Sequence, residues 1–116
     1  MKFDELLTAP AHEEGAEMEV MHPVTGQGTG VFLRIRGVDS KTFHDASLEF
    51  NRKRMEKGNE NKDIALDLSV AITAGWRGID DVEFSADAVR KLYQDSPAIR
   101  AQVDAFFTVR RNFMKG

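Results

Sequence analysis

Two short stretches, Glu17-Met18-Glu19-Val20 and Val31-Phe32-Leu33-Arg34-Ile35-Arg36, alternate apolar and polar side chains. That repeat belongs to a strand with one face on a core and the other in water. Met18 and Val20 share one face opposite Glu17 and Glu19, and Val31, Leu33 and Ile35 share one opposite Phe32, Arg34 and Arg36. A slip of one residue would turn every apolar side chain outward, so the pattern fixes the register as well as the element. The intervening HPVTGQGTG is too long for a two-residue turn and rich enough in glycine for a wide hairpin loop. Glu17 and Glu19 are expected to face Arg34 and Arg36 across the hairpin, each pair contributing about 0.2–1 kcal/mol.

Beyond the hairpin the apolar spacing becomes helical. Gly37-Val38-Asp39-Ser40 breaks the strand, and Asp39 or Ser40 can accept from the free amides that open a helix. A first helix is expected over about residues 40–57, with a thin stripe of Phe43, Ala46, Ser47, Phe50 and Met55, and a stop at Gly58-Asn59. A second, over about 61–75, carries Ile64, Leu66, Leu68, Val70, Ala71 and Ile72 around more than one face and should be the most buried. A third, over about 85–95, has Ser85 as cap and Val89, Leu92 and Tyr93 on its apolar side. Ser96-Pro97 opens a fourth, over about 97–114, because proline at the first helical position loses no hydrogen bond. The expected fold is α+β, mainly helical, with an N-terminal β-hairpin packed on a bundle of about four helices. Residues 1–16, breaker-rich and acidic around Ala9-Pro10-Ala11-His12-Glu13-Glu14-Gly15, are expected to form a flexible arm, and 17–116 a single domain.

A chain of 116 residues has apolar surface for one core. With 19 acidic and 16 basic residues spread along it, the net charge of −3 offers no general attraction to nucleic acid. There is no cysteine for disulfides or thiolate metal sites, which fits a reducing cytoplasm. The amino terminus lacks the apolar core of a signal peptide, and no run approaches the roughly 18 apolar residues of a membrane span. A soluble intracellular chain is expected.

Few residues suggest chemistry. His12, His22 and His44 lack metal-ligand spacing and are expected to be ordinary surface side chains, with no metal or cofactor bound. TGQGTG lacks the lysine-serine ending of a phosphate loop and precedes a strand. Asp80, Asp81 and Glu83 lie before a helix, where its dipole alone favours acids, and no nucleophile or partner histidine accompanies them. No acid, base and nucleophile set can be assembled, so no enzyme is expected. Trp76, between Gly75 and Gly78, reads as a structural anchor: the indole plugs the open end of the helix bundle while the glycines turn the chain around it. The alternative is an exposed anchor for another protein. On the last helix Phe107 and Met114 project away from the inward stripe of Ile99, Val103, Phe106 and Phe113. Phe107, Met114, Val109 and Tyr93 are therefore the candidate partner-binding residues, for a second copy or another chain.

In order, HPVTGQGTGVFLRIRGVDSKTF, a polar helix, AITAGWRGIDDVEFSADAVRKLY and SPAIRAQVDAFFTVRRNF resemble the tail assembly chaperones of long-tailed (siphovirus-type) bacteriophages and prophages, over about residues 17–113. The resemblance implies a non-enzymatic protein of the bacterial host cytoplasm. It would hold the tape measure protein while tail tube subunits polymerise, and be absent from the mature virion. It also implies a tail tube contact through a longer, frameshifted product, and the closing Lys115-Gly116 is compatible with a slippery codon pair. Two alternatives stay open: a structural tail-completion or head–tail joining protein, and a small DNA-binding regulator, which would need a basic face.

Overall fold

The computed structural model describes residues 1–56, 58 and 63–114. Among them the fold is α+β and mainly helical, a three-stranded antiparallel sheet against five α-helices. A 3-10 turn (Phe3–Leu6) leads into α1 (Ala9–Glu14), followed by strands β1 (Ala16–Met21) and β2 (Gly28–Ile35). Helices α2 (Lys41–Arg54) and α3 (Ile64–Ala71) precede β3 (Thr73–Arg77), and α4 (Ala86–Asp95), α5 (Pro97–Phe107) and a 3-10 turn (Arg110–Asn112) complete the chain.

The hairpin forms in the register that its alternation requires, pairing Glu17 with Arg34 and Met18 with Leu33. Met18, Val20, Leu33 and Ile35 point into the core. Glu17 faces Arg34 across the hairpin as expected, but its bond is to Arg77 of β3 (2.9 Å), and Arg36 bonds Glu13 of α1 (3.3 Å). β3 is the main departure. Residues 73–75 were expected to end the second helix, with Trp76 on the hinge beyond it, yet Thr73–Arg77 pairs with β2 on its free side, Gly75 against Arg34 and Trp76 against Leu33. The helix stops at Ala71, where the Arg36 amide takes the Ile72 carbonyl (2.8 Å) and draws the chain into the sheet.

Local chemistry sets the helix starts. Ser40, Asp63 and Ser85 each accept from the amide three residues on, at 3.0, 3.1 and 3.0 Å, satisfying donors that a helix start leaves free. Ser96 precedes Pro97 as expected, but its side chain makes no capping bond. The fourth expected helix ends early, at Phe107, where the Asn112 side-chain Nδ2 donates to the Phe106 carbonyl (3.0 Å) and the Val38 backbone N–H to that of Phe107 (3.1 Å). The expected helix positions 57, 61 and 62, the stop at 59 and the closing 115–116 lie outside the described residues.

The core gathers Leu66, Val70 and Ile72 around α3, Val89 and Tyr93 on α4, Val103 on α5 and Phe113 beyond it, against the inner face of the sheet. At the end of β1 one side chain takes the outward main-chain groups of Met21: the Gln102 amide of α5 accepts from the Met21 N–H and donates to its carbonyl, both at 2.8 Å.

Within the amino-terminal arm, α1 packs on the rest of the fold. His12 of α1 is fully buried, and the Glu13 carboxylate accepts from the amide (2.8 Å) and hydroxyl (2.6 Å) of Thr42. A helix of six residues cannot sustain itself in water, so these tertiary bonds hold α1 in place.

Candidate partner-binding surfaces

The four candidate partner-binding residues separate. Tyr93 is a correction: it is buried, its hydroxyl 2.6 Å from that of Thr73, and burial pushes its ionisation up to about 12. Its place four residues after Val89 put it on the inward stripe of α4. Phe107 is half-buried, its ring tilted on Phe43 at 5.1 Å, and Met114 is also half-buried. Val109 is exposed. The expected apolar patch on one continuous helix is therefore broken up, because α5 ends at Phe107 and the chain turns back so that Phe113 packs under α1 against His12.

Trp76 lies within β3 and not on a hinge between helices. It is half-buried on the core side of the sheet, with Phe84 edge-on at 5.4 Å. Gly75 has open space where a side chain would stand. Gly78 is at φ +92° beside the Gly30 carbonyl, so only glycine both adopts the backbone and fits the gap. Asp80, Asp81 and Glu83 are exposed in the loop that follows.

The sequence does not advertise the larger apolar groove. Ala46 and Phe50 of α2, Val70 and Ala71 of α3, and the Glu49, Lys53, Asp67 and Arg90 rim enclose ≈ 360 Å³. Arg90 bonds Asp67 at 2.7 Å, so the rim carries both signs in partly neutralised pairs. No residue of α2 is buried, and Leu48 (58% exposed) and Met55 (81%) extend its apolar character outward. The thin stripe of α2 was the available signal, since a helix with so little inward surface has apolar residues to spare. A smaller recess between α3 and α5 is lined by Leu68, Ile72 and Phe107.

The second concentration of structure is polar. The imidazole of His12, expected at the surface, is enclosed between the β2–α2 connection and the carboxy-terminal turn. The Asp39 amide donates to its Nδ1 (3.0 Å), and the Phe113 ring lies 4.7 Å away. The Asp39 carboxylate accepts from Arg110 Nε and Nη2 (2.8 and 2.9 Å) and from the Thr8 hydroxyl (2.7 Å). Those bonds, Arg110 first, hold the Asp39 carboxyl down at about 2 against its ordinary 3.8.

A depressed carboxyl stabilises the fold above its unfolded value and ceases to do so as pH falls through its folded one. Acidification from pH 4 to pH 2 is thus expected to remove about 1–2 kcal/mol as Asp39 is protonated, discounted for partial solvent access. In Asp39→Asn that increment should be absent, by urea denaturation at both pH values. An unchanged acid loss would show that other carboxylates carry it.

Among the described residues no group of three or more His, Asp or Glu side chains is placed to hold a metal ion, and no helix is long and apolar enough to cross a membrane. Comparison of the chain with protein-family models, curated protein sequences and solved structures finds no match.

Proposed function

We propose that this chain is a non-enzymatic tail assembly chaperone of a long-tailed bacteriophage or prophage, holding an amphipathic helix of the tape measure protein in the groove between α2 and α3. The observation that supports this best is α2 itself: fourteen residues with none buried, flanking an apolar groove, with Leu48 on the helix and Met55 just after it exposed. Helix-in-groove binding needs such an apolar floor, and a mixed-charge rim sets orientation without strong electrostatic commitment. A long helical partner presents many equivalent stripes, so several weakly bound copies would hold it firmly and still be removable. The order of sequence pieces over residues 17–113 supplies the biological identity. Val109, with half-buried Phe107 and Met114, remains a second contact, for the tape measure chain or another copy of this one. The tail tube protein is met through a longer product, and the protein acts in the cytoplasm of the bacterial host.

Co-expression with a helical tape measure fragment tests this. Phe50→Ser, in the groove and outside the core, is expected to weaken capture at least about tenfold in a pull-down while the circular dichroism spectrum is unchanged. Full retention of the fragment by that variant would exclude the groove. Finding the chain in purified virions would favour a tail-completion or head–tail joining part.

A further inference from the structure

His12 is buried among groups that already have other partners. Because Nδ1 accepts from the Asp39 amide, the neutral ring carries its proton on Nε2, and that atom is buried with no hydrogen-bond partner. Asp39 Oδ2 lies 3.8 Å away, beyond hydrogen-bond reach, and is taken by Arg110 and Thr8. A Cβ on Gly37 would overlap the ring, so the imidazole cannot shift toward that side. The ring also joins the two ends of the described chain. α1 is tied through it to Asp39 and through its backbone carbonyl to the Gly37 amide (2.9 Å), and Phe113 stacks on its other side.

A second proton has no acceptable position. It would go on Nδ1, turning the one acceptor of the ring into a donor aimed at the Asp39 N–H. The charged groups around the ring point the same way overall. Asp39, from the β2–α2 connection, favours the cation, but it is bidentate with Arg110 of the carboxy-terminal turn, whose own charge opposes it. On α1 the neighbouring Glu13 is engaged by Thr42 and Arg36. Burial dominates and lowers the imidazole from its ordinary 6.5.

We propose that His12 is an acid-weakened pin: neutral, it clamps α1 and the Arg110–Phe113 turn to the β2–α2 connection, and protonation loosens the clamp so that both segments open together more often while the sheet and α3–α5 stay folded. The sign follows from linkage. A base whose folded value is depressed binds more protons when released, so the clamped state weakens as pH falls below 6.5. Released, the two segments would uncover Phe106 and Phe113, which now lie edge to face at 5.5 Å.

Hydrogen exchange at pH 7.5 and pH 5.5, corrected for the intrinsic rate, tests it. The opening equilibrium of residues 9–15 and 110–114 is expected to rise several-fold, in parallel, at the lower pH, with β1 and β2 unchanged. His12→Asn keeps an acceptor near the Nδ1 position without a titrating group, and its opening should be the same at both pH values. Equal protection of the wild-type segments at the two pH values, or an unaltered pH dependence in His12→Asn, overturns the proposal. Should that variant not fold, titration of the wild-type His12 ring by nuclear magnetic resonance decides. A midpoint below 6.5 supports the pin, and one at or above 6.5 refutes it.

Discussion

Gly37→Ala is expected to destabilise the fold by about 2–4 kcal/mol, although it adds a single methyl group. The backbone of Gly37 is not in the left-handed region, so the cost is one of space. The new Cβ would overlap the His12 ring around Nδ1. The ring would have to withdraw, leaving the Asp39 amide without its acceptor and α1 without its deepest side chain. Loss of a buried partner leaves a desolvated donor behind, which costs more than the bond's net contribution. Urea denaturation measures the effect. A loss under about 0.5 kcal/mol would mean that α1 contributes little to global stability. In the double variant Gly37→Ala/His12→Ala, the smaller side chain at 12 should recover part of the packing strain.

Leu33→Ala should be the most damaging single truncation, at about 3–5 kcal/mol. Leu33 is fully buried on the central strand, opposite Met18 on one side and Trp76 on the other. Neighbours on a three-stranded sheet cannot close the gap without losing their own register, so the cavity stays largely open. The variant should also quench or shift the emission of Trp76, the single tryptophan, before global unfolding. A stability loss below about 1.5 kcal/mol would show that the layer collapses around the space, and that the sheet is softer than its register implies.

The hairpin and the helix starts were legible because both are encoded over a few residues. Strict alternation in 31–36 specifies a face, and Ser40 and Ser85 act on amides three positions away. β3 was not legible, because Thr73-Ala74-Gly75-Trp76-Arg77 has neither alternation nor β-branched density. Its strand state is imposed by the unused side of β2, which lies far away in sequence. The same reason hides α1: a short, proline-containing polar segment gives no periodic signal, and its order comes from Thr42, Gly37 and Asp39. Among the candidate contacts, Tyr93 could have been placed inside by its spacing from Val89. The groove beside α2 could not, since it exists only once α2, α3 and α4 meet.

The Gln102 clamp on Met21 limits how copies of this protein can associate. A sheet with two open edges can add strands from both sides and grow without end, as fibrils do. Here a side-chain amide occupies the main-chain groups of Met21 on one edge, standing in for a further strand there. A strand added at that end of β1 would first have to displace Gln102.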